Sequence, residues 1–226
     1  MPKSVSATPR KTPATARRQP TQARAQQTLM LLFRAAAQIL DQHGEAGLST
    51  NKVAAAAGFS IGTLYQYFPS KEALVQAMAQ HGRSLVLAEL ERQLAAVEQD
   101  PQAQRSDPRV FIDQLLAVLV QGFAGGRGWT RSLVRLAWSL EEPQETASAV
   151  RGVAERLALF FERIQHPQLH RPSAAQMFVL TRSVIGTLRS ASLENSPLLQ
   201  SPALQQALLE LVLALLLRPA PQGRTR

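Results

Sequence analysis

Apolar side chains recur at spacings of three and four residues along almost the whole chain from Thr28 onward. This spacing places them on one face of an α-helix, whereas a half-buried strand needs strict alternation, which no segment of the sequence has. Pro, Gly, Ser and Gln cluster between the periodic segments, at residues 99–108, 122–128, 165–172 and 195–202. The pattern therefore predicts an all-α protein, with three small helices followed by about six longer ones.

Positive charge is concentrated in the first third of the chain. Residues 1–71 hold nine Lys or Arg and two acidic residues, whereas residues 72–226 hold sixteen Arg and fourteen acidic residues. A basic region of this kind favours a polyanionic partner, either nucleic acid or an anionic membrane surface. Residues 1–27 lack the apolar anchors that a membrane surface requires, so nucleic acid is the preferred interpretation. No window has the uninterrupted apolar length of a membrane span.

Residues 1–27 are rich in Pro, Thr, Ala and Arg and contain no acidic residue. They have too little apolar surface to bury, so we expect a disordered basic arm that can follow DNA phosphates. An organellar targeting peptide is less favoured, because prolines interrupt the amphipathic helix that it needs, at Pro2, Pro9, Pro13 and Pro20. Residues 219–226 are expected to form a disordered tail. Because the chain has no cysteine and no apolar secretory segment at its start, we expect a soluble cytoplasmic protein.

Residues 28–73 are predicted to form three short helices with clear boundary residues. The first presents an apolar face made of Leu29, Leu32, Phe33, Ala36, Ile39 and Leu40. Glycines end it, at Gly44 and Gly47. Ser49 or Thr50 can cap the second helix. Gly58 then breaks the chain, and Ser60 can cap the third helix.

The third helix divides its larger side chains between the interior and the outside. Leu64 and Phe68 are four residues apart, so they share the face that points into a three-helix core. Tyr65 and Tyr67 then project on other sides, where each hydroxyl can reach a phosphate. Lys71 lies just past the following turn and adds a positive charge to the same rim.

Two short helices joined by a turn that contains glycine are the helix-turn-helix arrangement. The third helix begins with Ser60, Ile61, Gly62 and Thr63, whose modest size lets the helix enter a major groove without a clash. Inside a helix Gly62 costs about 1 kcal/mol relative to Ala. Close approach to a ligand backbone would explain that cost. The sequence therefore indicates a DNA-binding domain over residues 28–73.

The run "GFSIGTLYQYFPSKEAL", residues 58–74, resembles the turn, recognition helix and start of helix four in the TetR family of bacterial transcriptional repressors. The resemblance extends over residues 28–74, and the rest of the chain is similar only in being all-helical and of the expected length. It implies a two-domain homodimer that binds a palindromic operator and releases it when a small molecule enters the C-terminal domain. It implies phosphate contacts by Thr50, Ser60, Tyr65, Tyr67 and Lys71. It implies that the residues nearest the bases are Asn51, Ile61, Gly62 and Thr63.

Residues 74–218 are expected to form a larger domain of about six helices for ligand binding and dimerisation. The last two helices are predicted from apolar stripes at helical spacing, which are Met177, Leu180, Val184, Leu188 and Ala191 and then Leu204, Leu208, Leu211 and Leu215. Residues 204–217 are apolar nearly all round, so a single buried face cannot account for them. Small residues allow close helix–helix approach in the preceding helix, at Ser183, Gly186, Thr187 and Ser190. We therefore predict a homodimer through the last two helices, with ordinary core packing within a monomer as the alternative. A twofold dimer would hold two recognition helices about 34–36 Å apart, as groove geometry requires.

A ligand pocket is predicted among the middle helices, although the sequence marks it weakly. Its candidate lining residues are Phe111, Trp138, Met177 and Phe178, and the candidate partners for an anionic group are Arg135 and Arg182. Each aromatic residue is also compatible with plain core packing, and each arginine with a salt bridge. The expected inducer is apolar or amphipathic.

Catalysis is not expected, and neither a cofactor nor a metal is predicted. His166 and His170 lie among prolines in a predicted loop, a poor setting for a metal-binding pair. The glycine-rich residues 124–128 lack the Lys-Ser/Thr and the preceding strand of a phosphate-binding loop. The competing function is a DNA-binding protein of the same fold that takes no small molecule and either answers to a protein partner or organises DNA. A cavity of several hundred cubic ångströms in the C-terminal domain would favour the ligand-controlled protein.

Overall fold

Nine α-helices contain most of the residues that the computed structural model describes, which are 18–124, 128–140 and 143–218. They are α1 (Arg18–Gly47), α2 (Thr50–Ala57), α3 (Ile61–Tyr67), α4 (Lys71–Gln99), α5 (Pro108–Ala124), α6 (Gly128–Leu140), α7 (Pro143–Arg163), α8 (Ala174–Leu193) and α9 (Pro202–Leu216). The all-α prediction is confirmed. The predicted arm up to residue 17 and the predicted tail from residue 219 lie outside the described residues. In the described ranges no helix is long and apolar enough to cross a bilayer.

Helix α1 begins at Arg18, ahead of the start predicted at Thr28. Residues 18–27, predicted to belong to a disordered arm, are therefore helical. Their Gln, Ala and Arg residues have high helix propensity. Pro20 is tolerated because it lies in the first turn, where a backbone N–H has no partner within the helix. The predicted glycine end is found at Gly44, whose φ of 63° and ψ of −166° interrupt the helical backbone.

Serine side chains begin the three helices that follow. Ser49, Ser60 and Ser70 each accept a hydrogen bond from the backbone N–H three residues later, at 3.1–3.4 Å. Ser49 therefore takes the capping role for which Thr50 was the other candidate. Gly58 ends α2 in the left-handed conformation, with φ 76°, which glycine adopts without steric cost. These local signals set where α2 ends and where α2, α3 and α4 begin.

The buried side chains form two hydrophobic cores, and helix α4 contributes to both. The first core combines α1, α2, α3 and the beginning of α4, and it extends past the domain boundary predicted at residue 73 to include Leu74 and Met78. Leu133 and Ala137 of α6 also belong to it. The second core joins the remainder of α4 to α5, α7, α8 and α9. Helices α4 and α6 thus link the helix-turn-helix to the rest of the molecule.

Helices α8 and α9 bury one face in the second core and expose another that is partly apolar. The buried stripe of α8 is the predicted one, with Met177, Leu180, Val184, Leu188 and Ala191. In α9 the buried set is Leu208, Leu209, Val212, Leu213 and Leu216. Leu211, predicted to lie on the inward stripe, is exposed. Because α9 is apolar on nearly every side, the spacing of its leucines could not select the buried face.

Candidate nucleic-acid interface

Helix α3 turns Ile61, Gly62, Tyr65 and Gln66 away from the first core. These residues form two pairs with four-residue spacing, so they share one side of the helix. The residue Ile61 is 36% exposed and Tyr65 is 49% exposed. Leu64, on the opposite side, is fully buried. A continuous side of α3 is therefore accessible from solvent, as a groove-binding helix requires.

The fold itself does not explain the glycine at position 62. A Cβ atom added to Gly62 would lie 3.8 Å from the Ser60 hydroxyl, an ordinary van der Waals contact, and would meet nothing closer among the described residues. An alanine would fit there and would favour the helix by up to about 1 kcal/mol, the value for a helix interior. The described residues therefore give no steric reason for a glycine at this position.

Hydroxyl groups lie in pairs beside the exposed side of α3. The Ser60 and Thr63 side-chain oxygens are 2.9 Å apart. The Tyr65 hydroxyl lies 3.4 Å from the Thr50 hydroxyl on α2, which is long for a hydrogen bond between hydroxyls. Thr50 and Tyr65 are therefore weakly engaged with each other and can both donate to an external acceptor.

Tyr67 is placed differently from Tyr65. Its side chain is half-buried against the first core, and its ring centroid lies 6.4 Å from that of Phe68. The prediction treated both tyrosines as projecting outward. Tyr67 follows Leu64 by three residues, so its ring leans toward the same inward face.

Charged side chains flank the helix-turn-helix. Lys71 is the first residue of α4 and is half-buried, whereas Lys52 on α2 is exposed. Hydrogen bonds from its own backbone N–H and from the Ser70 side chain lower the pKa of Glu72, which keeps this carboxylate charged at the positive end of α4. Lys71 thus has an acidic neighbour, whereas Lys52 lies next to the neutral Asn51.

Two exposed residues of this surface, Gln66 and Lys52, were not singled out from the sequence. Gln66 follows Gly62 by four residues, so helical periodicity alone could have placed it on the same side of α3. Lys52 follows Thr50 and Asn51 in the first turn of α2, which is the part of that helix nearest to Tyr65. The positions of Gln66 and Lys52 in the sequence could therefore have assigned both residues to this surface.

The six predicted pocket residues do not converge on one cavity. Phe111 and Met177 are buried in the second core, where the Phe111 ring meets Phe160 edge to face at a centroid distance of 6.1 Å. Trp138 on α6 is half-buried between Phe123 and the Arg189 guanidinium. These three side chains perform ordinary packing.

Phe178 and Arg182 lie on the outward side of α8. Phe178 is 59% exposed. The Arg182 guanidinium carbon is 4.1 Å from the centroid of the Phe178 ring, and the guanidinium donates to the Thr181 hydroxyl at 3.2 Å. This pair belongs to the exposed face of α8, away from the interior in which a pocket was predicted.

Arg135 connects the two parts of the molecule. Its guanidinium contacts the Glu45 carboxylate, at the end of α1, with nitrogen–oxygen distances of 2.7 and 2.9 Å. A further nitrogen of Arg135 lies 3.4 Å from the side-chain oxygen of Asn195, just after α8. Arg135 is a predicted partner for an anionic group of a ligand, with a salt bridge as the alternative. In the structure it forms a salt bridge with a carboxylate of the same chain.

The second core contains an apolar cavity of about 50 Å³. Its lining residues come from α4, α5, α7, α8 and α9, and include Leu90, Leu116, Leu157, Thr181, Val184 and Val212. None of the six predicted pocket residues lines it. The cavity is well below the several hundred cubic ångströms expected of a ligand site.

Comparison with known proteins agrees with this geometry. Residues 32–78 match the family model described as "Bacterial regulatory proteins, tetR family". No curated protein matches the chain in sequence. A solved structure described as a TetR-family transcriptional regulator from Mesorhizobium loti superposes with a TM-score of 0.62 at 16% identity, covering 86% of this chain and 99% of that one.

Two further similar structures hold small molecules. The multidrug binding protein EbrR complexed with malachite green has a TM-score of 0.56 and 21% identity, with 85% of this chain and 98% of that chain covered. FadR from Bacillus subtilis in complex with stearoyl-CoA has a TM-score of 0.54 and 17% identity, with 81% and 96% covered. At these identities the likeness concerns the fold. The chain thus shares the fold of these proteins over most of its length, and its helix-turn-helix region, residues 32–78, matches the model of the tetR family of bacterial regulatory proteins.

Proposed function

We propose that this protein is a transcriptional repressor that binds a palindromic operator as a homodimer and is released from it by a small molecule. The observation that carries the proposal is the exposed side of α3, where Ile61, Tyr65 and Gln66 surround a backbone left open at Gly62. A short helix presented across a tight turn by a second helix is suited to the major groove of duplex DNA. Such a protein acts in the cytoplasm, where the bacterial chromosome lies.

Phosphate contacts would hold α3 in register on the duplex. Thr50 and Tyr65 support one such contact, because their hydroxyls are close enough for a single phosphate oxygen to accept from both. Lys71 and Lys52 supply positive charge on either side of the helix-turn-helix. Tyr67 contributes through its hydroxyl alone, since its ring packs on the core.

Base contacts would come from the side of α3 that faces outward and from the start of α2. Ile61, Gly62, Thr63 and Asn51 line this approach. Gln66 is the side chain best suited to recognise a base, because a glutamine amide can form two hydrogen bonds with adenine in the major groove. Such a pair discriminates against other bases by about 1–3 kcal/mol. The geometry therefore favours an operator with an adenine facing Gln66 in each half-site.

Dimerisation is assigned to the outward faces of α8 and α9. An open groove of about 430 Å³ runs along this surface and is lined by the predicted small residues Ser183, Gly186, Thr187 and Ser190. Within the described part of the chain, a Cβ added at Gly186 would meet no atom within 4 Å, so the surface has room for a second helix. The exposed Phe178 of α8 and Leu211 of α9 add apolar area to these two helices, which a dimer contact would remove from water.

Release by a small molecule is supported by the complexes of EbrR and FadR, which share the fold. The alternative function, a DNA-binding protein without a small ligand, is favoured by one observation: the cavity of about 50 Å³ is smaller than the roughly 300–1,000 Å³ of ordinary ligand sites. A ligand-controlled protein therefore requires the second core to widen until it can hold a small molecule, whereas a DNA-binding protein without a ligand does not.

A signal from the second core has two structural routes to α3. Helix α4 runs for 29 residues, about 43 Å, and contributes Leu74 to the first core and Leu90 to the second. Helix α6 packs in the first core through Leu133 and Ala137, while its Trp138 contacts Phe123 of α5 and Arg189 of α8. Movement of either helix would change the orientation of the helix-turn-helix, and hence the spacing of two recognition helices in a dimer.

Lys71→Ala tests the proposed function. Because Lys71 is assigned to a phosphate, its loss should weaken all duplex sequences alike and lower the slope of log affinity against log salt concentration by about one unit. Fluorescence anisotropy with a labelled duplex, at several salt concentrations, measures both quantities.

Arg109→Ala is the matched control for this experiment. Arg109 is exposed at the start of α5, at the end of the molecule remote from α3, and its loss removes the same formal charge. We expect its salt slope to equal that of the wild type. A Lys71→Ala protein with an unchanged slope but altered base preference would contradict the phosphate assignment.

A further inference from the structure

The cavity in the second core presents an entirely hydrocarbon surface. Leucine, isoleucine, valine and phenylalanine side chains line it, with Thr181 as the single polar residue among them. The Thr181 hydroxyl donates to the Met177 carbonyl at 2.8 Å and accepts from Arg182 at 3.2 Å. The hydroxyl proton and one of its lone pairs are therefore engaged within the chain, and the surface that the cavity presents is apolar.

This lining decides the charge of an occupant. A charged group placed in the cavity would lose its hydration without gaining a counter-charge or a hydrogen bond, which is strongly unfavourable. Water would gain no hydrogen-bond partner either, and apolar cavities of this kind stay dry. The surface is complementary to an uncharged hydrocarbon group.

Because its volume is small, the cavity must widen to admit a hydrocarbon group. About 50 Å³ is a small fraction of the roughly 300–1,000 Å³ of ordinary ligand sites. At least one of the five surrounding helices must therefore move outward. Helix α7 supplies Val153, Leu157 and Phe161 to the lining, and it packs chiefly on α8 rather than on α4.

Two ion pairs hold α7 to α4 across this side of the cavity. Arg156 contacts Glu91 at 2.6 Å, and Arg163 contacts Glu98 at 3.5 Å. The two arginines are seven residues apart on α7, and the two glutamates are seven residues apart, in the same order, on α4. The two helices therefore run in the same direction here, and the second ion pair lies about two turns beyond the first. Both pairs reach solvent, where such contacts are weak and sensitive to salt.

We propose that the cavity binds an uncharged, hydrocarbon-rich ligand that enters between α4 and α7 when Arg156 and Arg163 release Glu91 and Glu98. The inference rests on the proposed function, of which it names the ligand class and the entry route. Opening moves α7 away from Leu90 and frees α4, the helix that continues into the first core. The ion pairs act as a latch on the closed, DNA-binding form.

The ligand class is tested on the full-length protein with two fluorescent probes of similar shape. N-phenyl-1-naphthylamine is uncharged, and 1-anilinonaphthalene-8-sulfonate carries one negative charge. We expect the uncharged probe to bind at least about tenfold more tightly, because the cavity offers the sulfonate no partner. Equal affinity for the two probes would overturn the assignment of an uncharged ligand.

The site is tested by filling it. Val184 lines the cavity and is 2% exposed, so Val184→Phe should abolish binding of the uncharged probe, and the milder Val184→Ile should reduce it. Circular dichroism establishes that each variant is folded, and Val184→Ile serves if the larger side chain prevents folding. Thr181→Val should leave probe affinity within about twofold, because its hydroxyl is turned away from the ligand. Unchanged probe binding by folded Val184 variants would locate the site elsewhere.

The latch is tested with Glu91→Gln/Glu98→Gln, which removes both ion pairs. We expect probe uptake in stopped flow to be about threefold faster, from the usual strength of exposed pairs, and no longer accelerated by salt. Glu89→Gln is the matched control: Glu89 pairs with Arg92 within α4, a hydrogen-bonded contact that lowers the pKa of Glu89 to about 2, and its loss should leave uptake unchanged.

Uptake that is the same in the double variant and the wild type would overturn the latch. These measurements use no DNA, so their failure leaves the Lys71 experiment standing. A failure of operator binding in that experiment would instead remove the proposed function while the probe results stood by themselves.

Discussion

Replacing Gly62 with alanine is expected to stabilise the protein by up to about 1 kcal/mol and to weaken DNA binding at least about tenfold. The first effect follows from helix propensity, since the one described atom that the new methyl group would contact is the Ser60 hydroxyl oxygen, at 3.8 Å. The second follows from the proposed docking, in which the α3 backbone approaches the bases too closely for a side chain. Most destabilising substitutions lower both protein stability and DNA affinity. A rise in stability together with a fall in affinity would therefore indicate a direct effect of the methyl group on DNA docking.

Thermal unfolding and anisotropy titration of the Gly62→Ala protein measure the two effects. Gly82→Ala is the matched control, because Gly82 lies within α4 and a Cβ there would meet no atom of residues 18–124, 128–140 or 143–218 within 4 Å. We expect this control to gain similar stability and to bind DNA as the wild type does. If Gly62→Ala binds DNA with wild-type affinity, the backbone at Gly62 does not approach the duplex.

Leu211→Glu combined with Val179→Glu is expected to give a folded monomer whose affinity for a palindromic site falls by about a hundredfold or more. Both side chains are exposed in the single chain, at 38% and 49%, so the substitutions leave the two cores intact. In the proposed dimer they would place four carboxylates in a contact that excludes water. A monomer engages one half-site at a time and loses the gain from linked binding.

Analytical ultracentrifugation and operator titration measure the outcome for this double variant. Leu85→Glu is the control, since Leu85 is 59% exposed on α4 and lies outside the proposed contact. It should remain dimeric with unchanged DNA affinity. A dimer that persists in the double variant would show that α8 and α9 do not form the contact.

The helix-turn-helix was predictable because its determinants are local. Ser60 and Ser70 cap helices a few residues away, Gly58 supplies the left-handed turn, and Leu64 and Phe68 need only helical periodicity to face the core. Each of these signals acts within one or two turns. The buried stripe of α8 was predictable for the same reason.

Other features depend on contacts that the sequence does not encode locally. The contact between Arg135 and Glu45 joins residues 90 positions apart, and no spacing rule identifies such a partner. Leu211 was placed inward because an all-apolar helix carries no directional signal. The pocket was expected where aromatic residues occur, whereas the cavity formed where aliphatic side chains from five helices fail to fill the space.

In the proposed function, the exposed sides of two α3 helices, one from each subunit of a dimer, contact the bases of two half-sites. Selection of bound fragments from a random DNA pool, with the wild type and with Gln66→Ala side by side, tests it most directly. We predict that the wild type enriches an inverted repeat whose half-site centres are about 10–10.5 base pairs apart, or a multiple of that spacing, and that Gln66→Ala keeps the spacing but loses preference at one base pair in each half-site. Recovery of no inverted repeat by the wild type would contradict the account.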